Sequence, residues 1–132
     1  MSSIQEYVVQ GGQAITAGEV DQFRRQLAVY KLKAETLEAA GQPRLREQTS
    51  FLLRFVEDVL DDVYASTDFS ALPEAIFAVR YLAKGVDIIP DCMPGGYSDD
   101  AAVLRAVLTG HEAEFRAYCQ KEGLDFEALL KS

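Results

Sequence analysis

Four aspartates, Asp87, Asp91, Asp99 and Asp100, lie in one short stretch with Gly85, Pro90, Pro94, Gly95 and Gly96. Several carboxylates joined by backbone carbonyls make an all-oxygen site of the kind that takes Mg²⁺ or Ca²⁺. Such a site would serve a metal-dependent hydrolase-like enzyme or a metal sensor, although the spacing is not that of an EF-hand. The same residues support a purely structural reading. Asp99 and Asp100 follow Ser98 and suit the first turn of a helix, where free amides and the helix dipole favour negative charge. Asp87 and Asp91 would then bond loop amides or pair with Arg80, Lys84 or Arg105. His111 is the single histidine, and no Ser or Cys nucleophile shares a recognisable pattern with it, so a capping or solvated role is expected rather than a catalytic one. Cys92 and Cys119 sit in no C-x-x-C or Cys/His metal pattern and are expected to be free thiols.

The elements that would hold these residues are helical. An apolar run through Ile76, Phe77, Val79, Leu82 and Ala83, with Pro73 in its first turn, predicts a central helix that Gly85 closes as a left-handed cap. Arg80 is the permanent charge in the middle of that run and needs an acid, for which the loop aspartates are the candidates. Pro90 forces Ile89 out of the α region, Pro94, Gly95 and Gly96 make a turn, and Ser98 opens the next helix.

The run Asp87-Ile88-Ile89-Pro90-Asp91, with Pro94, Gly96-Tyr97 and Asp99-Asp100 after it, resembles the signature of the YkvA-like family, small helical bacterial proteins of unknown function. The resemblance covers roughly residues 72–108. Gly85 stands where that family has proline, and Cys92 and Met93 replace larger apolar residues. The resemblance implies a helical core and brings no activity with it. Peripheral membrane association is suggested by the family context alone.

The chain has 132 residues, 48% apolar and 26% charged, with a net charge of −8. That is the composition of a single soluble domain able to bury a core. No basic stripe interrupts the acidity, which argues against nucleic acid and against an anionic membrane surface as partners. No apolar run reaches the roughly 20 residues a spanning helix needs. The start lacks the basic and apolar regions of a signal peptide, so the expected location is the cytosol.

The remaining elements follow from period and caps. Ile4, Val8 and Ile15 predict a short helix interrupted at Gly11-Gly12. Thr16-Ala17-Gly18-Glu19 has the spacing of a capping box. A long helix then carries Val20, Phe23, Leu27, Tyr30, Ala34 and Leu37 on one face up to Ala40, where Gly41 ends it. A second runs from Pro43 to Ala65, so that residues 18–65 form an antiparallel hairpin. Its heptad-like seam suits packing inside the bundle, and alternatively self-association or a protein partner. Thr109-Gly110-His111-Glu112 reads as a further capping box, and residues 110–131 as C-terminal helices, with Asp125 capping the last. The expected whole is one all-α domain over 1–132, a compact bundle of five to seven helices around the Pro/Gly/Asp-rich loop. Its expected function is a non-catalytic interaction or scaffold role, with a divalent-metal protein as the alternative and no cofactor unless Mg²⁺ or Ca²⁺ binds the aspartates.

Overall fold

The computed structural model describes residues 2–39, 41–66, 69–88 and 98–130; the side chains of 2–3, 38–39, 84–88 and 98–99 are outside that description. Within it the chain is compact and all-helical, with eight helical segments and no strand among the described residues. The expected five to seven become eight because the long helix expected to run up to Ala40 is broken into two.

Helix α1 (Ser2–Gln13) runs straight through Gly11-Gly12, where an interruption was expected. These glycines mark a close approach. A Cβ on Gly11 would lie 2.4 Å from the Phe77 ring, and one on Gly12 would lie 2.5 Å from Glu74 Cγ. The capping box forms as read: the Glu19 amide donates to Thr16 Oγ1 at 3.1 Å and the Thr16 amide to Glu19 Oε1 at 2.9 Å. It opens α2 (Ala17–Arg25). The expected long helix breaks at Gln26, whose amide is shared between the carbonyls of Gln22 and Phe23, and resumes as α3 (Leu27–Ala39). No glycine or proline marks this break, so propensity gives no warning of it.

Gly41, at φ +79°, ends α3. The Gln42 amide reaches back to the Leu37 carbonyl at 2.8 Å, the long bond of a Schellman motif. Helix α4 (Pro43–Leu60) begins with proline at its first position. It packs on α3 with opposite sense, as its ion pairs show: Arg46 with Glu35, Lys31 with Glu57, and Arg24 of α2 with Asp61. Helix α4 stops at Leu60 and not at Ala65. Asp62 takes the left-handed conformation (φ 60°), and the Val63 amide bonds the Asp58 carbonyl at 2.8 Å. This is the same motif with aspartate in the glycine position, which aspartate tolerates better than most residues.

Helix α5 (Ala71–Ile88) is the centre, packed on α1, α2, α3, α4 and α6. It starts two residues before Pro73, which is harmless in a first turn whose amides have no helical acceptor. It also continues through Gly85, so that residue is not a helix stop. A glycine inside a helix costs only about 1 kcal/mol, and nothing compels termination until Pro90 approaches. Helix α6 (Ser98–Gly110) and α7 (Glu112–Glu122) follow. Gly123, at φ +70°, closes α7 as expected. Asp125 Oδ1 accepts from the Glu127 amide at the start of α8 (Phe126–Leu130). The last carbonyls of α8 are taken by side chains from elsewhere: Arg44 bonds Ala128, Gln48 bonds Leu129 and Arg105 bonds Leu130. These bonds satisfy groups that a five-residue helix cannot satisfy itself.

One continuous core contains Phe23, Leu37, Leu52, Phe55, Val56, Ile76, Val79, Leu104, Leu108, Phe115 and Tyr118. The rings of Phe55, Phe115, Tyr118 and Tyr64 meet edge-on or tilted at centroid distances of 4.9 to 5.9 Å. Among the described residues no helix is long and apolar enough to cross a membrane.

Candidate functional site

The residues singled out in the sequence do not come together as one described site. Pro90, Asp91, Pro94 and Gly96 lie outside the described residues. Gly85 and Asp87 fall in the last turns of α5 and Asp99 in the first turn of α6, and the side chains of Asp87 and Asp99 are not described. Asp100 is the exception. It is only 3% exposed, so it is a buried acid rather than the solvated cap the first-turn reading implies. Among the described residues no group of three His, Cys, Asp or Glu is placed to hold a metal ion.

Arg80 is also placed differently. Its Nη1 donates to Glu19 Oε2 at 3.0 Å, with the two side chains 40% and 35% exposed. The acid described on Arg80 is therefore the capping-box glutamate. One carboxylate starts α2 and holds the guanidinium. The Thr16 amide first and Arg80 second pull the Glu19 carboxyl below the usual carboxylate range. Because the pair is so accessible, Arg80→Ala is expected to lower the unfolding free energy by about 1 kcal/mol or less. Urea titration checks this, and a loss several times larger would mean that a buried acid depends on Arg80.

Arg80 and Glu19 belong to an open groove of about 650 Å³ between α1, α2, α3 and α5. One wall is an aromatic cluster: Tyr7 meets Phe77 at 5.4 Å and Tyr81 at 6.0 Å, both edge-on. The other carries Tyr30, stacked on Phe23 at 4.5 Å, with Val29 and Lys33 beside it. Sequence reasoning missed this groove because its parts come from four separate helices. The sign that could have found it is Tyr81, an aromatic residue outside the apolar run read as the central helix, one turn on from Phe77.

His111 was expected to cap or to face solvent and does neither. Its side chain is 9% exposed and Nε2 lies 2.8 Å from Oε1 of Glu74, itself 6% exposed. The backbone at His111 opens α7 without a side-chain cap, and Thr109 Oγ1 donates back to the Arg105 carbonyl. The expected second capping box is absent because Thr109 still lies inside α6 and bonds back to Arg105, while Glu112 accepts from Arg116. A buried histidine–carboxylate pair can hold or pass a proton. Here it also ties the start of α5 to the α6–α7 junction, at the floor of a second cleft of about 570 Å³ bordered by Gln5, Ser70 and Phe69.

A third polar group links α7 to the end of α4. Glu114 is buried and accepts from Tyr64 Oη at 2.5 Å and Ser66 Oγ at 2.7 Å. Asp58 accepts from Tyr118 Oη at 2.5 Å. Burial, then the hydrogen bond to Glu114, pushes the Tyr64 hydroxyl up to about 12, and burial with Asp58 raises Tyr118 as well. Burial followed by the charge of Asp125 lifts the Cys119 thiol to about 11. These groups ionise more readily unfolded, near 9 for the thiol and 10 for the phenols. For Cys119 and Tyr64 the contribution to stability is therefore complete below about pH 9 and is lost as pH rises through about 11 to 12. Accordingly, in a Cys92→Ser background Cys119 should resist a thiol reagent at pH 8 until the protein is unfolded. Prompt modification of the native protein would contradict its burial.

Compared with known proteins, the chain matches no family model, no curated protein and no solved structure at a significant level.

Proposed function

We propose that this protein is a non-catalytic helical interaction module that associates with a second copy of itself through the outer edge of α3. The observation that carries this reading is the pair Val29 and Leu32, 52% and 67% exposed on one side of α3. They lie off the seam of Leu27, Tyr30, Ala34 and Leu37 that packs inward, and Tyr7, also exposed, lies across the groove from Val29. Large aliphatic side chains a turn apart and open to water are what a helix–helix contact would cover. The resemblance to the YkvA-like family belongs to this proposal too, and supports a helical protein without assigned chemistry.

Sedimentation equilibrium tests it. The wild type should show reversible, concentration-dependent self-association. Leu32→Glu should be monomeric with unchanged helicity, since the position is exposed. A wild type that stays monomeric across the accessible concentrations would rule the reading out.

The alternative is a divalent-metal protein using Asp87, Asp91, Asp99 and Asp100 as an all-oxygen ligand set. Under that alternative Mg²⁺ or Ca²⁺ would raise the melting temperature of the same samples by mass action, and Asp100→Asn would remove the increase.

A further inference from the structure

We infer that the cleft between α1, the start of α5 and the α6–α7 junction binds a small organic ammonium ion, one amine carried on an apolar body, with Glu74 as its anchor. The first ground is an acceptor left over. Glu74 is buried and its Oε1 is taken by His111 Nε2 at 2.8 Å, while Oε2 accepts no hydrogen bond among the described residues. An ionised carboxylate only accepts, through both oxygens, and a buried oxygen left short of donors is costly. A second idle acceptor lines the same cleft. Gln5 uses its amide nitrogen on the Ala106 carbonyl, and its Oε1, beside Gly110, accepts nothing from a described residue. Two acceptors without donors call for a ligand that only donates, and an ammonium group brings three N–H donors and no acceptor.

The second ground is charge. Among the described residues lining the cleft, Glu74 and His111 are the titratable ones, and no lysine or arginine joins them. Gln13 and Gly110, the last residues of α1 and α6, also line it, and a helix C-terminus favours a cation. The start of α5 has the opposite sign, which Glu74 in its first turn offsets. The third ground is shape. The volume of about 570 Å³ falls in the range of about 300–1,000 Å³ typical of small-molecule sites, which join an apolar lining to a few polar groups. Val9, Ile15 and Phe69 supply that lining, and Phe69 is the most exposed large apolar side chain among the described residues. An apolar rim beside a buried acid suits an amine on a hydrocarbon or aromatic body.

This inference is independent of self-association, because Tyr7, Val29 and Leu32 do not line this cleft. The test is calorimetric titration of the full chain with phenethylammonium and with neutral 2-phenylethanol, at pH 8, above the ordinary imidazole range. The ammonium should bind, and the alcohol should bind at least about tenfold more weakly, the value of one charge-assisted contact. Glu74→Gln keeps an acceptor for His111 and removes the charge, so it should abolish that preference. Phe69→Ala, at an exposed position, should weaken both ligands alike and leave the preference standing. If Glu74→Gln does not fold, Gln5→Leu decides, and it should weaken the ammonium while leaving the alcohol unchanged. Absence of binding at millimolar concentration, equal binding of ammonium and alcohol, or binding untouched by Phe69→Ala overturns the inference. So does a preference that survives Glu74→Gln, or Gln5→Leu in its place, because that would report general attraction to a chain of net charge −8.

Discussion

Glu114→Ala is expected to lower the unfolding free energy by about 3 kcal/mol, because it strands two hydroxyl donors at a buried site, each worth about 1–3 kcal/mol when left unmatched. Those donors, Tyr64 and Ser66, come from the segment after α4, and the acceptor is the first buried residue of α7. The bonds therefore add to the fastening of a turn that is also held by the Tyr64 ring on Phe55 and Tyr118 and by Lys121 on the Val63 carbonyl. Urea unfolding of Glu114→Ala, Tyr64→Phe and the double variant measures the effect and its coupling. The double variant should lose clearly less than the sum of the singles, because once the carboxylate is gone the phenol has no partner to lose. Additive losses, or a single-variant loss as small as that of an exposed substitution, would show that the carboxylate does not fasten the turn.

The paired change Gly11→Ala/Gly12→Ala is expected to destabilise by about 2 kcal/mol, against the sign that helix propensity alone gives. Propensity favours alanine by up to about 1 kcal/mol at each position. Packing opposes it: the new methyl groups would sit 2.4 Å from the Phe77 ring and 2.5 Å from Glu74 Cγ. Overpacking of this kind costs about 1–3 kcal/mol per site. Neither neighbour yields easily. Phe77 is braced by Tyr7 and Tyr81, and Glu74 is fixed by His111. Helix α1 is further anchored by Ile4 and Val8 on the core and by the bond from Gln5 to the Ala106 carbonyl, so it does not simply slide to relieve the clash. Thermal melts of the pair decide the sign, and a rise in melting temperature would mean that α1 shifts freely on α5.

Much of the architecture was legible because caps and period are local. Thr16 with Glu19, Gly41, Pro43, Gly123 and Asp125 each govern a few neighbouring residues, and the structure uses each as its residue type suggests. The misreadings share a cause. Gly11, Gly12 and Gly85 read as interruptions, but a glycine inside a helix is a small penalty that packing readily outweighs. Asp62 ended α4 in a conformation that its residue type permits but does not announce. Arg80 was correctly read as needing an acid, and the wrong acid was named, because Glu19 is distant in sequence and already had a local role. His111 and Glu74 illustrate the same limit: nothing near either residue signals the other. The groove was invisible for the same reason, since four helices contribute to it.

The double duty of Glu19 has a dynamic consequence. A single side chain both closes the first turn of α2 and fixes the guanidinium across the groove, so the two events share one lifetime. Whenever the start of α2 frays, Arg80 loses its tether and swings free; while Arg80 is held, fraying is slowed. Orientation of the positive charge in the groove is thus set by how often a nine-residue helix opens at its first turn, and the exchange rate of the Glu19 amide proton is the clock on which that opening can be read.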